Sequence, residues 1–256
     1  MSALTALLDL AGGLLWHSAL VFLRVGAIVA LLPAFGSQSI PARVRLGLAL
    51  AFTLIVAPAV PVFAPDRVAP WLFMRFLATE TLAGLALGLA LRLFVLALQT
   101  TGAIAANMTS LSQILGGAQT EPLPAMGQVL VMGGLALATL GGLHVQAAEA
   151  IVLSYEILPP GRFPDSSVIS EWGVARVAEA FRLAFKLAAP FAILSMLYNL
   201  ALGVINKAMP QLMVAFIGAP VITLGGLFLL FLASPLLLAL WAEALRVFLA
   251  NPFSAG

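Results

Sequence analysis

Few side chains in this sequence are of the types that carry out chemistry, and none forms a recognisable catalytic pattern. The chain has no cysteine, which excludes thiolate catalysis, disulfides and cysteine-ligated metals. Its two lysines, Lys186 and Lys207, precede Leu and Ala instead of the Ser or Thr of a phosphate-binding loop. Its two histidines, His17 and His144, are far apart and outside any His-Glu-x-x-His helix. We therefore predict no catalytic, cofactor-binding or metal site and no enzymatic activity.

Ionisable residues inside apolar segments are the remaining candidates, because such groups are costly in a membrane. His144 and Glu149 are five residues apart. On a helix this spacing turns them about 140° away from each other, so a proton relay through both is unattractive. We expect each to be satisfied by contacts between helices. We expect the same of Arg24, Glu80 and Arg92. Glu80 is expected to pair with an arginine of another segment.

The composition indicates a surface that does not face water. Hydrophobic residues make up 62% of the chain and charged residues 9%, whereas a soluble domain carries about a quarter charged residues. Lipid, or the apolar flanks of partner subunits, must cover the rest. The net charge of +2 is spread without a basic cluster, which argues against nucleic-acid binding. The N-terminal stretch lacks a positively charged region, so we expect the first apolar segment to remain in the mature protein.

Apolar segments long enough to cross a bilayer, which takes about 20 helical residues, recur along the chain. The sequence predicts an all-α, polytopic helical membrane protein with broken or kinked helices and helical hairpins, formed by a single domain over residues 1–256. Arg43 and Arg45 mark a short loop that we expect on the cytoplasmic side, with both termini opposite. The segments are roughly residues 10–35, 46–65, 71–98, 122–153, 176–206 and 208–248.

Residues 208–242 carry no charge. As one straight helix this run would reach about 50 Å, more than a hydrocarbon core of about 30 Å. We therefore expect either a tilted helix broken near Gly218–Pro220 or a hairpin turning near Gly225–Gly226.

Two other regions are polar. Residues 99–126 are rich in Thr, Asn, Ser, Gln and Gly, and such groups should face protein or a water-filled cavity instead of lipid tails. Residues 159–175 form a polar connection into a helix with a charged stripe. That stripe indicates either a helix end at the membrane interface or a face turned to a lumen or a partner. Its members are Arg176, Glu179, Arg182 and Lys186.

Small residues recur at four-residue spacing, which lets helix backbones approach closely in a membrane. Gly84 and Gly88 form one such pair, and Gly134, Ala138 and Gly142 form a series. The pattern predicts tight helix packing without indicating a partner.

Three stretches, residues 33–58, 142–161 and 199–226, carry a family resemblance. Together they closely resemble FliR, the family of flagellar type III export-gate proteins, which has an injectisome counterpart. The match is collinear and covers nearly the whole chain. The third stretch is the most specific, and the residues that fall at the family spacing are Asn199, Gly203, Pro210, Gln211, Gly218 and Pro220.

The resemblance implies a subunit of a hetero-oligomeric helical gate in the bacterial inner membrane, at the flagellar basal body. Its implied partners are FliP-like and FliQ-like subunits and an FlhB-like protein. The implied cargo is unfolded flagellar subunits, and no cofactor is implied. In that assembly, helices that look transmembrane can pack on neighbouring subunits above the bilayer.

The resemblance also implies roles for particular residues. A loop at roughly 107–126 would plug the closed pore, although this stretch departs from the family pattern. Met108 and Met126 would line a constriction or simply pack. The implied plug residues are Asn107, Met108, Gln113, Glu121 and Met126, and those implied in subunit packing are Gly84 and Gly88 with the six of the third stretch.

Three other functions stay open. A small-molecule permease would have inverted repeats and a binding site at broken helices, and would work without unlike partners. An injectisome gate subunit would share the mechanism but serve another system. A passive membrane scaffold would tolerate loss of the 107–126 loop without ion leak.

Overall fold

The computed structural model of the chain describes residues 2–36, 40–62, 70–109, 125–209 and 214–253. Over these residues it consists of helices without strands, which confirms the all-α prediction. A 3-10 turn, Ala57–Ala59, follows the second helix. The α-helices are α1 (Ser2–Leu31), α2 (Ala42–Val56), α3 (Pro70–Thr109), α4 (Ala125–Leu140), α5 (Leu143–Ile157), α6 (Ser166–Ala208) and α7 (Val214–Ala250).

Five stretches of the described helices, in α1, in α2 with its 3-10 turn, in α3, in α6 and in α7, are long and apolar enough to cross a membrane. The consecutive pair α4 and α5 adds a sixth if taken as one span. The pair is broken at Gly141–Gly142, where Gly142 has a φ of +78° that disfavours any other residue. The stretch 122–153 is therefore two helices, and the chain is a polytopic helical membrane protein.

The helices gather into two compact units. The first comprises Met1–Leu93, Thr139–Val177 and Leu245–Gly256, and the second comprises Phe94–Ala138 and Ala178–Ala244. Both are built from one chain that leaves and re-enters each of them. The prediction of a single domain over residues 1–256 stays a prediction.

In the first unit, α1 packs against α2 and α3. Gly84 on α3 brings the two backbones together, because a Cβ there would collide with the carbonyl oxygen of Arg24 and lie 2.8 Å from the Cβ of Ala27. Gly88, one turn on, would meet the flexible side chain of Leu31 at 3.1 Å. The small-residue pair is thus a helix-packing device, as its spacing predicts, and its neighbour is a helix of the same chain.

His17 on α1 has a structural role in this unit. Its Nε2 donates to the carbonyl of Ala57 at 2.8 Å, and the side chain is buried. In a continued helix that carbonyl would accept from residue 61, but Pro61 has no amide proton. His17 therefore satisfies a backbone group at the end of α2.

The second unit is held by α3, α4, α6 and α7. Trp241 on α7 is fully buried, its ring lies 3.3 Å from where a Cβ of Gly134 would stand, and its Nε1 donates to the carbonyl of Phe94 at 2.8 Å. Thr101 Oγ1 lies 2.8 Å from the carbonyl oxygen of Ala97 and 3.3 Å from that of Ala184 on α6. Polar side chains at these crossings are satisfied by backbone carbonyls.

The break near Gly218–Pro220 and the hairpin near Gly225–Gly226 are both wrong, because α7 runs without interruption from Val214 to Ala250. Pro235 lies inside this helix and cannot donate to the carbonyl of Phe231. The hydroxyl of Ser234 donates to that carbonyl instead, at 3.3 Å. The helix continues through this proline, and its 37 residues reach about 56 Å.

Two other elements begin earlier than predicted. Arg43 and Arg45 lie in the first turn of α2 and not in a loop. The helix α6 begins at Ser166, ten residues before the predicted 176, because Asp165 accepts hydrogen bonds from the Ser167 amide at 2.8 Å and from its hydroxyl at 2.6 Å. The hydrogen bond from the Ser167 hydroxyl, which has the largest effect, and the one from the Ser167 amide hold the pKa of Asp165 below its ordinary value.

Candidate functional site

The first unit contains a buried ion pair in an apolar environment. Arg24 on α1 and Glu80 on α3 are 1% and 0% exposed. Arg24 Nε donates to Glu80 Oε2 at 2.9 Å, and Arg24 Nη2 donates to Oε1 at 3.3 Å, so the pair is bidentate. The prediction that Glu80 pairs with an arginine of another segment is confirmed.

The same guanidinium also binds α5 and the connection after it. Arg24 Nη1 donates to Ser154 Oγ at 3.1 Å, and Nη2 donates to the Leu158 carbonyl at 2.7 Å. The ring of Tyr155 lies against the guanidinium, 3.8 Å from ring centroid to Cζ, which is a cation–π contact. One arginine therefore joins α1, α3, α5 and the connection to α6.

This arrangement is suited to holding helices together. A buried charge is tolerated where its partner and hydrogen bonds compensate for the lost water. Here Glu80 accepts two hydrogen bonds from Arg24, and Arg24 has further partners in Ser154, Leu158 and Tyr155. Neither group is accessible to a substrate. We interpret the Arg24–Glu80 cluster as the clamp of the first unit and not as a proton pathway.

The second unit contains the base of the predicted plug loop. Gly102 on α3 and Gly127 on α4 meet backbone to backbone, because a Cβ on Gly102 would collide with the amide nitrogen and Cα of Gly127. A Cβ on Gly127 would instead lie in ordinary contact, 3.7 Å from the Cα of Gly102. The pair lies just before and just after residues 110–124, so it fixes how closely the two ends of the loop approach.

The described residues of the predicted plug differ in their surroundings. Asn107 and Met108, in the last turns of α3, are exposed, whereas Met126 at the start of α4 is buried. Met126 thus takes the packing alternative within the chain, while Met108 is available to a partner. Gln113 and Glu121 lie outside the described residues.

The predicted subunit-packing residues also divide. Gly84 and Gly88 pack within the chain, as described above. Asn199 and Gly203 are exposed on α6. Asn199 Nδ2 donates to Ser195 Oγ at 3.2 Å, and no described residue lies within 4 Å of a Cβ on Gly203. Gly218 and Pro220 belong to α7, and the structure describes their backbone alone. Pro210 and Gln211 lie outside the described residues.

Other ionisable residues are placed differently from expectation. His144 and Glu149 are both exposed, so neither is satisfied by a helix–helix contact among the described residues of this chain. In the α6 stripe, Arg176 is buried while Arg182 and Lys186 are exposed. Within the described part of the chain, no three His, Cys, Asp or Glu side chains come together as a metal site would require.

Sequence reasoning missed two partners. Gly127 carries a weak signal, a glycine directly after a polar loop, but only the fold shows that it meets Gly102. The sequence does not indicate which groups contact Arg24, because they lie about 130 residues further along the chain. These groups are Ser154, Tyr155 and the Leu158 carbonyl.

We predict that removing one member of the buried pair is costlier than replacing both. Glu80→Gln or Arg24→Met should each destabilise the purified chain by about 3–5 kcal/mol, because the other charge is left buried without its partner. The double replacement Arg24→Met with Glu80→Leu should cost less than either single change. Thermal unfolding in detergent gives the comparison, with Arg92→Gln, at an exposed position on α3, as the neutral control. A double variant whose loss of stability equals the sum of the two single losses would contradict the interpretation of this cluster as a clamp.

We predict that Gly102→Ala opens the base of the loop, whereas Gly127→Ala leaves it closed. The methyl group of Ala at position 102 would collide with the Gly127 backbone and force α3 and α4 apart. The methyl group of Ala at position 127 would lie at an ordinary contact distance from its neighbours. In cells, Gly102→Ala should raise the passive uptake of a small ion at least severalfold over wild type. Equal leak from the two alanine variants would show that the glycine contact does not control closure.

The chain matches known proteins over most of its length. Residues 15–247 match the family described as bacterial export proteins, family 1. A flagellar biosynthetic protein FliR of Caulobacter vibrioides is 36% identical over 232 residues, which cover 90% of this chain and 92% of the relative. FliR proteins of Aquifex aeolicus and Escherichia coli are 31% and 30% identical, over 85% and 84% of this chain and 85% and 83% of their own lengths. By the family match and these identities, the chain belongs to the FliR family of bacterial export proteins.

Proposed function

We propose that this chain is a gate subunit for flagellar protein export in the bacterial inner membrane. It assembles with FliP-like and FliQ-like subunits, and with an FlhB-like protein, around a closed conduit for unfolded flagellar subunits. The observation that supports this most strongly is the C-terminal part of α6, which the other described residues of the chain leave uncovered. Its role is conformational, and no chemical step is assigned to it.

The exposure of α6 is unusual for a helix of this composition. Only 17% of its apolar span is buried within the chain, compared with 44% of the span in α3. From residue 196 to residue 209, every described side chain is exposed or half-exposed. The large apolar side chains exposed there are Met196, Leu197, Leu200, Val204, Ile205 and Met209. Exposed apolar side chains in such number must be covered by lipid or by protein.

One face of this segment favours protein as its cover. Asn199, Gly203 and Asn206 are spaced four and three residues apart, so they share a face of the helix, and all three are exposed. An amide against lipid tails lacks hydrogen-bond partners, whereas small residues and amides are common where membrane helices touch. A neighbouring helix that approaches at Gly203 would satisfy both asparagines.

Closure is assigned to the loop whose base is the Gly102–Gly127 contact. The two ends of the loop are held together by backbone packing, so the loop can block the conduit without help from the helices far from it. Substrate would displace the loop and the apolar side chains beside it. Met108, exposed at the end of α3, is suited to this role because its thioether side chain is flexible.

Co-expression tests the proposal directly. The chain should co-purify from membranes with FliP-like and FliQ-like chains of the same bacterium as one complex, whose mass includes all three. A permease would instead purify as a stable, monodisperse single species and move a solute across vesicles. A homogeneous preparation of this chain alone that transports a solute would contradict the proposal.

We predict that Gly203→Leu prevents assembly without unfolding the chain. None of the described residues lies within 4 Å of a Cβ at this position, so a leucine is accommodated in isolation but blocks an approaching neighbour. The matched control is Gly173→Leu, on the same helix and equally open, outside the uncovered segment. Complex yield should fall at least tenfold for Gly203→Leu only, at an unchanged melting temperature of the isolated chain. Equal yields of the complex for the two variants would show that this part of α6 does not contact a partner subunit.

A further inference from the structure

The first unit has an open groove that the clamp and the loop do not explain. Its volume is about 490 Å³, and it runs between the end of α2 with its 3-10 turn and one face of α5. Ile55 and Ala59 form one side, and Val145 and Val152 on α5 contribute to the other. Ile55 and Val145 are 62% and 51% exposed. The groove is therefore mostly apolar, and the described residues of this chain leave it uncovered.

Two carboxylates stand in this apolar lining. Glu149 and Glu156 both line the groove, both are exposed, and they are seven residues apart on α5. Seven residues return to nearly the same face of a helix about 10.5 Å further along its axis. Among the described residues, neither carboxylate has an ion pair or a hydrogen bond to a side chain. An unpaired acid on an apolar membrane helix is costly, so a cationic partner would be stabilising.

We propose that the groove takes an apolar helix of an unlike protein that carries two Lys or Arg side chains about two turns apart. The apolar face of the incoming helix fills the groove, and its two cations meet Glu149 and Glu156. The two charges set which helix binds and in which register, because a shift by one turn leaves at least one carboxylate unpaired.

A second copy of this chain lacks the complementary pattern. None of its twelve Lys and Arg residues is seven positions from another. Among exposed basic residues of the described helices, the pair whose spacing comes nearest to seven is Arg182 with Lys186, which are four residues apart. A lipid is equally unsuited, since a single headgroup cannot pair with two carboxylates spaced about 10.5 Å along a helix axis. The charges therefore favour an unlike partner. The inference rests on the proposed function only in placing that partner within the export complex.

Photo-crosslinking from the groove tests the proposal. Benzoylphenylalanine replaces Val152 in the full chain, which is co-expressed with FliP-like and FliQ-like chains, and mass spectrometry identifies the cross-linked peptide. We expect an apolar segment of an unlike chain with two basic residues about seven apart. The Glu149→Gln with Glu156→Gln double variant should lower the cross-link at least tenfold, and each single variant should lower it less. Glu171→Gln, an exposed acid on α6 outside the groove, should leave it unchanged.

A charge exchange completes the test. Replacing Glu149 and Glu156 by Lys should abolish the cross-link, and replacing the partner's two basic residues by Glu should restore it. The proposal is overturned by a cross-link to a second copy, to lipid alone, or to another segment of this chain such as 63–69 with Arg67. It is equally overturned by no cross-link, or by one that the Gln variants do not change. The mass of the complex is measured in the same sample, so a complex that forms without the cross-link rejects this inference and keeps the proposed function.

Discussion

An apolar helix that its own chain does not cover must be covered by something else, and the organisation of this protein follows from that constraint. With 9% charged residues, the sequence cannot provide a surface for water. The first unit buries many of its helix contacts internally. In the second, α6 and α7 leave most of their apolar circumference exposed, with 17% and 22% of their spans buried. The uncovered surface is continuous along helices and interrupted by amides and a glycine, a pattern that favours neighbouring helices.

The two units meet this constraint with different devices. In the first, the Arg24–Glu80 cluster fixes three helices by hydrogen bonds that water cannot reach, so their arrangement is specific. In the second, glycine contacts and a buried tryptophan bring helices together. In the proposed assembly, the groove that carries Glu149 and Glu156 would let charge select which partner helix docks.

Much of this architecture could be predicted from the sequence, and the failures have physical causes. Composition predicted the membrane class because charge content determines which solvent a surface can face. The pairing of Glu80 was predictable because a buried carboxylate needs a cation, but its partner Arg24 depends on how α1 and α3 cross. The break near Gly218–Pro220 was wrongly predicted because glycine and proline were taken to interrupt the helix, whereas α7 continues through Pro220 and Pro235. The glycines at 102 and 127 were not recognised as a pair, since their contact exists only in three dimensions.

The central claim is that unlike subunits, and not lipid, cover the end of α6. Because the chain has no cysteine, a single cysteine at Leu200 allows one spin label to be placed on this segment, and its collision rate with molecular oxygen reports exposure to lipid tails. The account predicts a high collision rate for the chain alone in vesicles and a severalfold lower rate once FliP-like and FliQ-like subunits are co-assembled. A rate that stays high in the presence of both subunits would contradict it.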